Sequence, residues 1–306
     1  METLIEVEKF LVEQAKTDSL QEFLEKMAFQ KVKKMLQEKA GVNCSGYRDE
    51  YIKRRFEIRL RATGANTYGK YISYLRNNPE EFQNLLNDLT INYTMFFRDA
   101  DVYSFLEKIL LPKIFLSSNS TRIWSAGCAT GEEPYSLAIL VHKVLKQAIA
   151  YHPVIIFASD IDKDALSTAT KGEYHLKQLN NIDTALIDNY FTKEGEIYKI
   201  NDVVKRSIQF HEFDLMNPSL HQNLDLILCR NVMIYFSKES QQQIHMNFFK
   251  ALKEGGYFIT GKSEILSGEP ATKFLPVDYQ TRVYQKPRMA NESLKLGTLN
   301  LCSKCT

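Results

Sequence analysis

Over roughly the first 90 residues, apolar positions recur at helical spacing. Leu4-Ile5, Phe10-Leu11, Leu20, Phe23-Leu24 and Met27-Ala28 stand among Glu, Lys and Gln, the one-sided pattern of amphipathic helices. Asn43-Cys44-Ser45-Gly46 and Thr63-Gly64-Ala65-Asn66-Thr67 punctuate this stretch as loops with helix-start residues. Ile52, Phe56 and Leu60 lie four apart and predict the buried stripe of one helix. From about residue 121 the pattern switches to strands alternating with helices. Strands are predicted at Arg122–Trp124, Val154–Ser159, Ile208–Phe213, Leu226–Cys229 and Tyr257–Thr260. Helices are predicted at Tyr135–Gln147, Lys163–Thr170 and Lys238–Leu252, the last stopped by Gly255-Gly256. Such alternation argues a mostly parallel sheet covered on both faces. Phe274-Leu275-Pro276-Val277 and Thr281-Arg282-Val283-Tyr284-Gln285 read as a closing antiparallel hairpin. Residues 172–205 break the alternation and predict a small inserted β-subdomain, with Ile197–Ile200 as one of its strands.

Composition narrows the class. A chain of 306 residues with 44% hydrophobic and 25% charged positions is an ordinary globular protein of one large or two modest domains. A net charge of +2 gives no global pull toward nucleic acid, so any electrostatic footprint must be local. No stretch approaches the roughly 20 apolar residues of a membrane helix, and Met1-Glu2-Thr3-Leu4-Ile5-Glu6 lacks the basic start of a signal peptide. Five scattered cysteines fit a reducing cytoplasm. Cys302-x-x-Cys305 has no second pair to complete a zinc site. The six histidines form no H-x-H or H-x-x-x-H pair, so no metal is expected.

The chemistry starts after the first strand, in Trp124-Ser-Ala-Gly127-Cys-Ala-Thr-Gly131-Glu132-Glu133-Pro134. A strand running into glycines and a helix start builds the crevice of an open α/β sheet. Two acids there would repel a pyrophosphate, yet suit ribose hydroxyls or a cationic cofactor such as S-adenosylmethionine. Gly-x-x-x-Gly also departs from the Gly-x-Gly-x-x-Gly of nicotinamide-dependent dehydrogenases. Asp160 ends the next strand, where a carboxylate can accept both ribose hydroxyls, while Asp162 suits the following helix cap. Glu132 and Glu133 compete for the cofactor contact. Asp214-Leu215 is either an adenine neighbour or a turn before Asn217-Pro218. Arg230-Asn231 follows a buried strand run and has little reason to exist for packing; Tyr235 adds a phenol. Phe96-Phe97-Arg98 reads as a ring-pinned segment presenting a guanidinium, a bidentate partner for carboxylates.

Asn92-Tyr93-Thr94-Met95-Phe96-Phe97-Arg98, the glycine loop, Ala158-Ser159-Asp160-Ile161-Asp162 and Cys229-Arg230-Asn231-Val232-Met233-Ile234-Tyr235-Phe236 occur in one order in one family. From about residue 30 to 287 the chain resembles the bacterial chemotaxis receptor methyltransferases, the CheR family. The resemblance implies an N-terminal helical domain (1–90, with 1–29 an extension), a Rossmann-like methyltransferase domain (91–287, with the β-subdomain at 172–205) and a tail (288–306). It implies a cytoplasmic, monomeric enzyme that methylates glutamates of chemoreceptor helices and releases S-adenosylhomocysteine. It places Asn92, Thr94, Arg98, Gly127, Glu133, Asp160, Asp214, Leu215, Arg230 and Asn231 at the cofactor, with Arg98 and Tyr235 catalytic. Lys53, Arg54, Arg55, Arg59 and Arg61 would dock the acidic receptor. A non-enzymatic cofactor sensor, or a relative with another protein acceptor, is the alternative. A nucleic-acid methyltransferase is disfavoured, because no Asn/Asp-Pro-Pro-Tyr-like motif follows the fourth strand. Two departures matter. Thr192-Lys193-Glu194-Gly195-Glu196 is short for the glycine-rich loop that tethers some members to a receptor pentapeptide, which weakens that expectation. Gly261-Lys262-Ser263-Glu264 replaces the frequent Gly-His-Ser-Glu, and the sequence offers no account of the lysine.

Overall fold

The structure, a computed structural model, describes residues 2–148, 151–218 and 221–288; the Cys302/Cys305 pair lies outside them. α1 (Glu2–Ala40) is one 39-residue helix, exposed over residues 18–24 and buried through Phe29, Val32, Met35 and Leu36. α2 (Asp49–Thr63) buries Ile52, Phe56 and Leu60, as their spacing predicts, and ends on left-handed Gly64. α3 (Tyr68–Asn77) starts at Thr67, whose hydroxyl accepts from Lys70 N, and α4 (Glu81–Leu89) completes the helical bundle. Glu81 ties these three helices together. Its carboxylate accepts from Arg59 Nε and Nη2, each at 2.8 Å, from the Tyr71 hydroxyl at 2.9 Å and from Asn84 Nδ2 at 3.1 Å.

α5 (Ala100–Phe105) passes through a π turn into α6 (Leu111–Ser117). Alternation then follows: β1 (Thr121–Ala126), α7 (Glu132–Ala148), β2 (Val154–Asp160) and α8 (Lys163–Lys171). A small antiparallel sheet interrupts it: β3 (Glu173–His175), α9 (Thr184–Tyr190), β4 (Phe191–Glu194) and β5 (Ile197–Ile200). The chain resumes with α10 (Asp202–Lys205), β6 (Ile208–Glu212), β7 (Leu224–Cys229), α11 (Lys238–Ala251), β8 (Leu252–Thr260), α12 (Glu269–Lys273), β9 (Leu275–Asp278) and β10 (Val283–Gln285). The main sheet runs β6-β2-β1-β7-β8-β10-β9. Its first five strands are parallel, and β10 and β9 close it antiparallel. Side chains alternate across a strand, so β1 feeds two cores: Ile123 packs with Tyr135 and Leu137, and Trp124 with Phe213 and Phe248. Strand order reverses between β1 and β7, which opens a crevice at their carboxyl ends.

One predicted boundary is corrected. α11 stops at Ala251 and β8 starts at Leu252, so Gly255 and Gly256 lie inside a strand rather than at a helix end. Their role is close approach. A Cβ on Gly256 would fall 2.9 Å from Leu224 O, and Gly255 N donates to Lys286 O at 2.9 Å.

The helical bundle is joined to the sheet domain by backbone. Tyr47 and Phe236 form an antiparallel bridge with stacked rings 4.5 Å apart. Arg48 N donates to Tyr235 O at 3.0 Å, and Ser237 N to Gly46 O at 2.9 Å. The segment carrying Tyr235 is thereby held from both sides.

Candidate active site

The glycine loop after β1 needs its glycine at one point above all. Gly127 sits at φ +78°, and a Cβ there would meet Val232 Cγ2 at 2.6 Å. Gly127 N and Cys128 N donate to Ser159 O at 2.8 and 2.9 Å, which locks the loop onto the end of β2. That end presents Asp160, whose carboxylate accepts from Ala129 N at 2.8 Å and Asp162 N at 3.0 Å. Burial pushes the Asp160 pKa up against those hydrogen bonds. Asp162 caps α8 by accepting from Asp164 N and Ala165 N, and its other oxygen takes Thr90 Oγ1 at 2.6 Å and Asn92 Nδ2 at 2.8 Å. Asn92 therefore reaches the crevice wall with its amide already engaged.

The two loop acids part company. Glu133 lines the crevice, accepts from Ser125 Oγ at 2.8 Å and lies 3.5 Å from Arg230 Nη1. Burial raises its pKa, and the Arg230 charge opposes the rise. Glu132 turns away, its carboxylate taking Thr130 Oγ1 at 2.6 Å and Gln178 Nε2 at 3.4 Å beside the small sheet.

Arg230, at the end of β7, is 1% exposed. Its Nη2 donates to Arg98 O at 3.0 Å and Asp99 Oδ2 at 2.5 Å. These contacts hold a turn in which Phe97 and Asp99 take φ of +50° and +62°, the former rare for a bulky side chain. Phe96 is fully buried, its ring edge-on to Tyr174 and Phe191 at 4.9 and 5.6 Å, and Phe97 N donates to Ser136 Oγ at 3.0 Å. The ring-pinned segment thus presents Arg98 to the crevice, where its guanidinium lies 5.7 Å from the Tyr93 ring centroid.

Asn231 has φ +60°, and its Oδ1 is buried without a partner among the described residues. Tyr235 packs its ring 4.9 Å from that of Tyr51. Burial raises the Tyr235 pKa, and the charges of Arg55 and Arg98 pull it back. Asp214 accepts from Met216 N at 2.9 Å in a turn and also lines the crevice with Leu215 and Phe213. The crevice encloses about 920 Å³, its open mouth included. It brings together Asn92, Thr94, Arg98, Gly127, Glu133, Asp160, Asp214, Leu215, Arg230, Asn231 and Tyr235.

Two family models match the chain. The CheR methyltransferase all-alpha domain matches residues 27–90, and the CheR methyltransferase SAM binding domain matches residues 92–283. The chain belongs to the CheR methyltransferase family. The chemotaxis protein methyltransferase of Listeria monocytogenes is 31% identical over 241 residues, spanning 78% of this chain and 87% of the relative. That of Salmonella typhimurium is 33% identical over 248 residues, 78% and 84% respectively. As a CheR-family member the protein is an S-adenosylmethionine-dependent methyltransferase, and the crevice fits that cofactor on its own evidence. It offers carboxylates to hydroxyls and to a positive centre, and the buried Asn231 amide oxygen, which lacks a partner among the described residues.

The five basic residues of α2 do not share one environment. Lys53, Arg54 and Arg61 are exposed. Arg59 is committed to Glu81 and, at 3.2 Å, to Asp88. Arg55 packs against Tyr51, its guanidinium 5.4 Å from that ring centroid, and its charge is felt by Tyr235. Lys262, unexplained by sequence, pairs with Asp101 Oδ2 at 2.6 Å and so ties the end of β8 to α5. Sequence reasoning missed Tyr51, Phe213 and Tyr103. A signal for Tyr51 existed, since it lies four residues before Arg55 and thus on the same helix face.

Proposed function

We propose that the protein methylates glutamate side chains on the cytoplasmic helices of chemoreceptors, giving glutamyl methyl esters and S-adenosylhomocysteine. One observation carries this reading. The crevice has an acidic side, Glu133 and Asp160, and opposite in charge to it Arg98 beside Tyr235, whose phenol also feels the charge of Arg55. The first suits a sulfonium nucleoside; the second suits a carboxylate acceptor. The names of the relatives support the receptor as the source of that carboxylate.

In this reading Asp160 accepts the ribose hydroxyls, Asp214 and Leu215 flank the adenine, and Glu133, Arg230 and Asn231 hold the amino-acid end. The bound cofactor supplies an electrophilic methyl on positive sulfur. Arg98 orients the acceptor carboxylate, and Tyr235 lines the path between the two. No general base is needed, since a glutamate with a pKa of about 4.3 is already ionised at neutral pH. When bound, that cofactor would give up its methyl carbon and its sulfur would keep the electron pair of the broken bond, so the sulfonium charge and the charge of the carboxylate that Arg98 orients would both be neutralised. Alignment and exclusion of water therefore do most of the work. Exposed Lys53, Arg54 and Arg61 would meet the acidic receptor surface.

The test is transfer of tritium from labelled S-adenosylmethionine into purified receptor cytoplasmic domains, followed by mild base. Volatile methanol released from the receptor is the expected result. Base-stable label, or cofactor binding with no transfer to any receptor domain, would point to another acceptor or to a sensor.

A further inference from the structure

Beyond the groups that line the crevice, one buried carboxylate reaches into its construction. Glu264 is 4% exposed and belongs to the turn after β8. Its Oε2 accepts from Gly261 N at 2.7 Å, within its own turn, and from Asn231 N at 2.9 Å, at the end of the neighbouring strand. Its Oε1 accepts from Ile234 N at 3.3 Å. One side chain thus holds backbone donors at both ends of the segment from Asn231 to Ile234, directly before Tyr235. The main chain of the Glu264 turn is fixed in its place: Glu264 N donates to Gly261 O at 2.9 Å, and Thr260 Oγ1 donates to Glu264 O at 3.2 Å.

The held segment runs in an uncommon backbone conformation. Asn231 sits at φ +60°, in the left-handed region that few residues other than glycine adopt and that asparagine tolerates best. Val232 also faces the glycine loop across the space that a Cβ on Gly127 would fill. Gly261 makes the clamp possible, because a Cβ there would lie 2.7 Å from both Asn231 N and Glu264 Oε2. A carboxylate is the suitable acceptor, since its two oxygens offer lone pairs to three N–H groups and it brings no donor of its own.

We propose that Glu264 is a positioning residue of the methyl-transfer crevice. It touches no crevice space itself, and through backbone N–H groups it sets where Asn231 and Tyr235 stand. This inference rests on the crevice being the cofactor site. Glutamine is the discriminating replacement, because it keeps the shape but turns an amide N–H₂ toward backbone donors.

The experiment is calorimetric titration of the intact chain with S-adenosylhomocysteine. Wild-type protein that fails to bind would overturn the cofactor reading itself. Given wild-type binding, Glu264→Gln should weaken affinity roughly ten- to 100-fold, the loss expected for hydrogen bonds to a charged group. The Asn231→Ala single variant and the Glu264→Gln/Asn231→Ala double variant separate positioning from general damage. If Glu264 acts through Asn231, the double variant binds about as well as the weaker single variant; fully multiplying losses would overturn the assignment. Unchanged affinity in folded Glu264→Gln would do the same. Should Glu264→Gln not fold, Glu264→Asp keeps the charge but draws the carboxylate back by one methylene from Asn231 N and Ile234 N. Lost affinity in that variant supports the clamp, and retained affinity removes it.

Discussion

At the scale of single residues, the proposed mode separates groups that would bind the cofactor from groups that would face the acceptor. Asp160 is fixed by two backbone N–H groups and accepts the ribose in the proposed mode. Asp160→Ala should weaken S-adenosylhomocysteine binding by roughly 1.5–3 kcal/mol, the worth of hydrogen bonds to a charged group. Calorimetry on the folded variant checks this, and unchanged affinity would remove Asp160 from the site. Arg98 is predicted to matter to turnover more than to affinity. Arg98→Lys keeps the charge but loses the planar fork, so kcat/KM should fall about tenfold or more with cofactor affinity nearly intact. A fall in cofactor affinity with unchanged kcat would make Arg98 a cofactor ligand instead.

Among elements, the contact joining α2, α3 and α4 is the most exposed to test. Burial alone would raise the Glu81 pKa, but hydrogen bonds from Arg59, Asn84 and Tyr71 hold it below its ordinary 4.5. A depressed carboxylate contributes stability that is complete above its unfolded pKa and is lost as pH falls through the folded one. The bundle should therefore weaken below about pH 4.5, and Glu81→Gln should flatten that part of the urea-midpoint profile. At neutral pH, Arg59→Ala should destabilise the protein by about 3 kcal/mol, because it leaves a carboxylate that is 3% exposed without its charge partner. A loss under about 0.5 kcal/mol would mean Arg59 is free for another role. Arg59 and Arg55 lie four apart on α2, yet α4 takes one and the Tyr51 ring takes the other. Spacing could show that they share a face, but that α4 packs against Arg59 lay outside its reach.

For the whole molecule, the receptor grip is predicted to reside in Lys53, Arg54 and Arg61. Replacing all three with alanine should raise the receptor KM and flatten its dependence on ionic strength, with kcat little changed. Exposed charges are screened over about 8 Å at physiological salt, so added salt on the wild type should mimic the substitution. The β4–β5 connection is a tight turn with Gly195 at φ +63°, so removing the receptor's C-terminal pentapeptide should change methylation little. Strong dependence on the pentapeptide with the triple variant unaffected would move the grip to the small sheet. No helix among the described residues is long and apolar enough to cross a membrane.

What the sequence determined by itself was everything carried by local order. Period-2 and helical patterning set the succession of strands and helices, and the glycine loop, Asp160 and Arg230-Asn231 each fall where a strand delivers them to one end of the sheet. Tertiary structure decided the rest. Glu133 faces the crevice because Ser125 and Arg230 meet it there, whereas Glu132 is drawn off by Thr130 and Gln178. Gly255 and Gly256 serve a strand because Leu224 and Lys286 pass close beside them. Lys262 finds Asp101 and Glu264 finds Asn231, partners far away along the chain. Periodicity reports which face of an element is apolar; it carries no record of which distant residue comes to lie against a given side chain.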